Sequence, residues 1–286
     1  MATTAEVIED SVSQDGIRLV TVQYRCPRSI LAELNTHRCI SKSARSSRAV
    51  PTAKLLNEVA DDPYIPDWTV NKPGMQGDPA DPETAALLTE AWLRARDRAL
   101  ADVSYMHQLG NPHKGDVNRI LESWMWVDGV ITSTDWANFF SLRIHPAAHP
   151  AMRALAEAIK QAMDASTPVE RFPNLDSPAN WHLPYITKKE RADLPLPRLR
   201  LVSAARCGRV SYRPHDGSDA DVERDLKRGL EMMAARPLHA SPFEHVAAPD
   251  HLWSGSYWAH PAEHRNFRGW RQYRAMLSED TVRDEK

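Results

Sequence analysis

An α+β fold is the expectation for this chain of 286 residues, and three observations predict it. Ile17 to Tyr24 (IRLVTVQY) alternates in polarity and is rich in β-branched residues, the pattern of a strand. Glu83 to Gln108 carries Leu87, Leu88, Trp92, Leu100 and Val103 at roughly helical spacing, which predicts a long amphipathic helix. Short segments of both periods alternate along the rest of the chain, and this interleaving keeps α/β open beside α+β.

After the strand, Pro27 fits the start of a helix, SILAELNTHR, because a first helical turn leaves its N–H groups unpaired in any case. That helix leads into a basic segment, Thr36 to Val50. Continued as a helix, it puts Arg38, Ser41, Arg45 and Arg48 on one face. Asp61 to Pro82 is dense in Pro, Asp and Gly and reads as a surface loop. Asp116 to Val130, nearly all apolar towards its end, reads as a second amphipathic helix, with further helices over Asp135–Leu142 and Pro150–Met163. Thr167 to Asp193 is again rich in proline. Arg198–Ser203 (RLRLVS) and Arg209–Tyr212 read as strands, Asp221–Ala235 as a helix, and His245–Asn266 as an irregular stretch. Neither flanking piece looks self-sufficient, so the proline-rich stretches are expected to be loops of a single domain over 1–286. Within it, 17–165 holds the basic and helical part and 198–286 the remainder.

Hydrophobic content of 42% and charged content of 26% are ordinary for a globular protein, and the length allows a sizeable core. A net charge of −2 argues against a long nucleic acid as partner. The charge is uneven, however: Arg18 to Lys54 holds eight Lys/Arg and one acid, Glu33. Such a local excess suits a small anion better than a duplex. Cys26, Cys39 and Cys207 form neither a disulfide framework nor metal-ligand spacing. The opening segment is acidic and lacks an apolar run, and no segment reaches membrane-spanning length, so a cytoplasmic location is expected.

Arg38, Arg45 and Arg48 stand among Thr36, Ser41, Ser43, Ser46 and Ser47 with no acid between them. Forked guanidiniums beside short hydroxyls suit a phosphate, although a solvated basic face is the default reading of charge alone. Arg119, by itself, reads as a surface arginine. Arg143 ends an aromatic run, and a buried guanidinium needs an acceptor, which a structural ion pair or a ligand contact supplies. His239–His245 (HASPFEH) gathers Glu244 and two histidines around a proline turn, which alone reads as a structural cluster. His260, Glu263 and His264 lack the order and the third ligand of a zinc motif, so no metal is expected. Cys39 reads as a packed, half-buried thiol. Gly-rich phosphate loops and the nucleophile-elbow motif are absent.

Taken together, these segments resemble the flavin-dependent thymidylate synthase family, whose signature reads roughly R-H-R-x-x-S-x-N-x-x-S-x-R. Thr36 to Arg48 keeps His37, Arg38, Ser41, Ser46 and Arg48 in register, and departs at Thr36 (Arg in the family) and Ser43 (Asn). Asn138–Arg143 (NFFSLR) is similar to the family's NFxxLR, with Arg119 upstream at a phosphate-contacting position. HASPFEH matches H-x-S/T-P-F-E-H, and Ala205–Tyr212 (ARCGRVSY) resembles ARVSY with an insertion. In most members the last two segments precede the basic motif. Their position here reads as a circular permutation, a layout associated with phage-borne members.

The resemblance implies a central, largely antiparallel sheet flanked by helices, and a flavin in place of the cysteine nucleophile of ordinary thymidylate synthases. It implies FAD as cofactor, methylenetetrahydrofolate as one-carbon donor and NADPH as a reductant. The acceptor would be C5 of a deoxypyrimidine monophosphate, dUMP first and dCMP as the alternative. Ser46, Ser47, Arg48 and Arg119 would hold the nucleotide phosphate, with Arg143 at a pyrimidine carbonyl as the main catalytic group. His37, Arg38, Ser43, Asn138, Ser241 and Glu244 would line the flavin, with His239 near its ring and the folate. A homotetramer with sites shared between subunits is implied. Where the family continues towards AQWEIR, this chain has Ala148 to Arg153 (AHPAMR), a departure bearing on the base accepted and on methyl versus hydroxymethyl product. The reading from a different class is a nucleic-acid-binding protein using the basic segment.

Overall fold

The computed structural model describes residues 2–73, 77–211 and 218–277. β1 (Thr4–Ser13) and β2 (Arg18–Pro27) form an antiparallel hairpin. A 3-10 turn (Arg28–Ile30) and α1 (Leu31–Asn35) lead to β3 (Ser41–Ala44). Next come α2 (Thr52–Asp61), a small ribbon of β4 (Thr69–Val70) and β5 (Asp78–Pro79), α3 (Pro82–Gly110), α4 (Lys114–Val117) and β6 (Trp126–Ser133). α5 (Ala137–Arg143), α6 (Pro150–Asp164) and β7 (Val169–Arg171) follow. The five-stranded sheet runs β3–β6–β2–β1–β7, antiparallel at every step except β1 with β7. The rest of the chain supplies α7 (Lys188–Asp193), α8 (Leu196–Arg209), α9 (Val222–Ala234) and β8 (Ala247–Pro249). It ends in the hairpin of β9 (Leu252–Trp253) and β10 (Tyr257–Trp258), then β11 (Trp270–Gln272), which pairs with β8, and α10 (Tyr273–Met276). The expected α+β class and largely antiparallel sheet are what the chain forms. Among the described residues, no helix is long and apolar enough to cross a membrane.

Alternation along β2 decides the layering. Val20, Val22, Tyr24 and Cys26 face one way, into a core completed by Met152, Leu155 and Ile159 of α6. Leu19, Thr21 and Gln23 face the other way. Leu19 packs with Phe267 and Trp270, Thr21 bonds His182, and Gln23 accepts from the Tyr185 hydroxyl. The sheet is therefore covered on both sides, by α6 and by the C-terminal layer. Gly129 of β6 lies opposite Tyr24, and a Cβ there would meet the Tyr24 hydroxyl at 2.2 Å.

Five expectations are corrected. The SILAELNTHR helix shortens to one 3-10 turn and α1, ending at Asn35. The basic segment is extended at β3 and turns as 3-10 only at Ser47–Ala49, capped by the Ser46 hydroxyl. Serine hydroxyls compete for nearby backbone groups and favour such caps over helix interiors. The second half of Asp116–Val130 is β6, not helix: a short apolar run does not distinguish a buried strand from a buried helix, and Val127, Val130 and Ile131 are β-branched. Conversely, RLRLVS lies in α8, not in a strand. Its alternation is broken by Ala204 and Ala205, and Pro197 sits in the helix's first turn, where it costs no hydrogen bond. Arg200, polar by type, stacks over Trp181 and Tyr273 at 4.9 and 4.8 Å. Arg209 ends α8, so the Arg209–Tyr212 strand does not begin there; Tyr212 itself lies outside the described residues.

Candidate functional site

Arg143 is built into the site by the end of α5. Its Nε donates to His37 Nε2 at 2.8 Å, one Nη donates to Glu33 Oε2 at 3.2 Å, and the other reaches Thr36 Oγ1 at 3.5 Å. An arginine only donates, so His37 Nε2 is unprotonated and its proton sits on Nδ1. Burial, then the cations of Arg143 and Lys42, hold the His37 imidazole below its ordinary range. The edge of Phe139 packs against that ring at 5.0 Å. His37 is thus a neutral, oriented group beside a half-buried guanidinium. With Arg38 and Asn138, both exposed, these two residues line a depression of about 290 Å³ that also holds Cys39. Cys39 is exposed, not packed as expected.

Ser46 and His239 meet at a larger cleft of about 740 Å³, although they are far apart in sequence. Cations dominate its walls: Arg45 and Lys54 on one side, Arg224, Lys227 and Arg228 of α9 on the other. Arg48 and Arg119 converge on Gly115, away from that wall. Arg119 Nε donates to the Gly115 carbonyl at 3.0 Å, and Arg48 Cγ lies 3.5 Å from where a Gly115 Cβ would stand. Ser47 turns inward: its hydroxyl donates to Glu122 Oε1 at 2.8 Å, and the Asn118 amide holds the Ser47 and Val50 carbonyls. The Ser47 hydroxyl is therefore buried here, while Ser46 before it is exposed.

HASPFEH folds as a 3-10 turn over Ser241–His245 packed on β3. Its His245 donates to or accepts from Ser43 at 3.0 Å and is fully buried. Ser241 and Glu244 are half-buried. Burial pushes the Glu244 carboxyl up, against the pull of Arg274 and Lys42. Lys42 is held below its ordinary range by burial and ties down the separate His37–Ile40 turn by donating to the His37 and Ile40 carbonyls. In the AHPAMR stretch, His149 caps α6 through its Nδ1 and Arg153 lies 3.9 Å from Glu157. His260 and His264 converge on buried Asp250.

Sequence reading missed Glu33, Glu122 and the α9 cations. Glu33 was visible only as the lone acid in a basic stretch. Arg224, Lys227 and Arg228 carry a clearer signal, because their spacing places them on one helix face.

Residues 18–169 match the Thy1 family model, described as thymidylate synthase complementing protein. The chain belongs to this family. The matched span holds the basic segment, Arg119 and Arg143, and stops short of HASPFEH. As a Thy1 member the chain is an enzyme of pyrimidine C5 methyl transfer. Among solved structures, this Thy1 chain is similar to the UMP/dUMP methylase PolB from Streptomyces cacaoi, bound with 5-Br UMP. They share 17% identity over 56% of this chain and 88% of that one, with a TM-score of 0.47. It is also similar to Thymidylate Synthase X from Helicobacter pylori, solved with FAD and dUMP: 19% identity over 51% of this chain and 67% of that one, TM-score 0.34. No curated protein matches the sequence significantly.

Proposed function

We propose that this enzyme transfers one carbon from methylenetetrahydrofolate to C5 of dUMP, with FAD as cofactor and NADPH as reductant. One observation carries the reading. Residues from three separate segments gather at two depressions: His37, Arg38, Asn138 and Arg143 line one, Ser46 and His239 the other. The residues fit a flavin dinucleotide, because the larger cleft is walled by cations that would face a diphosphate, and the smaller offers amide and guanidinium donors to a ring edge. Bound and reduced, the flavin supplies hydride and carries the one-carbon unit.

The chain's own residues bind, orient and stabilise charge. By the family signature, Ser46 from the cleft and Arg48 and Arg119 from the Gly115 side are assigned to the nucleotide phosphate, while Ser47 holds the turn through Glu122. Arg143 donates to a pyrimidine carbonyl, drawing charge onto oxygen while C5 becomes nucleophilic. Its Nε bond to His37 fixes the plane of the fork, and Glu33 keeps the guanidinium aimed until the base replaces it. His37, Arg38, Ser43, Asn138, Ser241 and Glu244 line the flavin, with His239 towards the folate. The motif order is that of a circularly permuted single catalytic unit, working as a homotetramer with shared sites.

The test incubates the protein with FAD, a reductant and methylenetetrahydrofolate, offering dUMP and dCMP in parallel, and identifies products by mass spectrometry. The expected product is dTMP. Hydroxymethylated dCMP would redirect the reading to the altered AHPAMR segment, and no product from either nucleotide would overturn it.

A further inference from the structure

A line of hydrogen bonds crosses the sheet and ends at Ser43. Ser11 Oγ lies 2.9 Å from His182 Nδ1, and His182 Nε2 lies 2.7 Å from Thr21 Oγ1. Thr21 meets Thr132 at 2.7 Å, Thr132 meets His245 Nδ1 at 2.8 Å, and His245 Nε2 meets Ser43 Oγ at 3.0 Å. Ser11, Thr21, Thr132, His182 and His245 are all fully buried. Their contributing strands are β1, β2, β6 and β3, with the two imidazoles bridging them from the C-terminal layer.

Only two proton arrangements keep this line bonded throughout in one continuous sense. Each buried hydroxyl has one proton, and each neutral imidazole has one N–H and one lone pair. A hydroxyl oxygen can accept twice, but every proton in the line finds an acceptor only if each group donates to one partner and accepts from the other. Fixing any single bond fixes them all. Arg171 makes that choice: its Nε donates to Ser11 Oγ at 3.4 Å, so the Ser11 oxygen faces a cation and its proton turns to His182. The opposite sense would aim the positive ends of the dipoles at Arg171 and Arg191, both of which act on His182. The sense that results is Ser11 to His182 to Thr21 to Thr132 to His245 to Ser43. Both histidines carry their proton on Nε2, and the Ser43 oxygen accepts from His245.

We propose that this relay makes Ser43 a dedicated hydrogen-bond donor to an acceptor atom of the bound flavin, because its oxygen is already taken by His245 and its proton remains for the ligand. The proposal rests on the flavin reading given above. It also accounts for serine at a position where the family signature has asparagine. An asparagine brings its own N–H donors, whereas a serine hydroxyl needs a neighbour to settle its direction. Ser43 is the donor; Thr21, Thr132, His182 and His245 are positioning residues.

The experiment has two parts. Nitrogen NMR of the histidine-labelled protein reads the tautomers, and His182 and His245 are both expected as Nε2–H. Either ring found protonated on Nδ1 overturns the relay. FAD titrations then compare Thr21→Val in the Ser43 and the Ser43→Asn backgrounds. Cutting the relay is expected to weaken FAD binding about fivefold with Ser43, roughly the worth of one net hydrogen bond, and to leave the Asn background within about twofold. Equal losses in both backgrounds mean that Thr21 is merely structural and overturn the proposal. Should Thr21→Val fail to fold, Ser11→Ala removes the directing end with less disturbance and makes the same comparison. A wild-type protein that binds no FAD overturns the flavin reading and this proposal with it, whereas FAD binding with equal losses overturns this proposal alone.

Discussion

Acidification is expected to destabilise this protein before its carboxylates titrate, because two imidazoles are sealed against the sheet without charge. His182 and His245 are fully buried. Burial holds His182 well below its ordinary range and pushes His245 down to about 3. In the unfolded chain each titrates near ~6.5. A base whose folded pKa is depressed is protonated first in the unfolded state. Its stabilisation is therefore complete above about pH 6.5 and declines as the pH falls towards the folded value. At about pH 5, protonation favours an unfolded histidine by about 2 kcal/mol, so His245 removes about 2 kcal/mol and His182 acts in the same direction. That is a large part of a total stability of roughly 5–15 kcal/mol. His37, also lowered, acts in the same direction. Glu9, whose carboxyl burial raises, acts in the opposite one and gains stability as the pH falls through its folded pKa. Urea denaturation followed by circular dichroism at about pH 7.5 and about pH 5 measures the difference, with His245→Gln as the control expected to lose about 2 kcal/mol of it. Equal wild-type stability at the two pH values, or undiminished pH dependence in His245→Gln, would refute the reasoning.

Further outcomes follow from the same geometry. Arg206 is fully buried and donates to Asp225, Glu190 and the Tyr185 carbonyl, each at 2.7 Å. Arg206→Met takes a buried cation from those acceptors and is expected to cost about 3–5 kcal/mol in chemical denaturation; a loss under about 1 kcal/mol contradicts this. Arg143→Ala should lower kcat by roughly 10²–10³ while FAD stays bound, which steady-state kinetics and flavin absorbance together report. A thiol reagent should modify Cys39 rapidly and spare Cys26 and Cys207, which are buried. Burial pushes the Cys26 thiol up to about 12 and raises that of Cys207 as well. Added FAD should slow the Cys39 reaction, and rapid loss of all three thiols would count against this packing.

Legibility followed the strength of local periodicity. β2, α3, α6 and α9 were read correctly, since each carries a long apolar pattern of one period. β6 and α8 were exchanged in type, because each is buried on most sides and shows little contrast between faces. The candidate site was legible as a set of residue types: His37, Arg38, Ser46, Arg48, Arg119, Arg143 and HASPFEH were all named from sequence. Its partners were not. Nothing local links Glu33 to Arg143, Glu122 to Ser47, or His182 to Thr21; the last two stand 161 positions apart and meet only because the C-terminal layer packs on the sheet.

The basic character of Thr36 to Val50 and its match to a family signature are properties of residue order, and the sequence alone determined them. So too was the mixed fold class, because hydrophobic period is written into the chain. Tertiary structure alone decided which of these groups face a ligand. The segment is an edge strand and a capped turn, so its arginines diverge: Arg45 faces the large cleft, Arg48 turns to Gly115, and Arg38 joins His37 and Arg143. A helix would have aligned them on one side. Strand geometry sends neighbouring side chains to opposite faces, and the other segments packed against each face determine what chemistry the residues there can do.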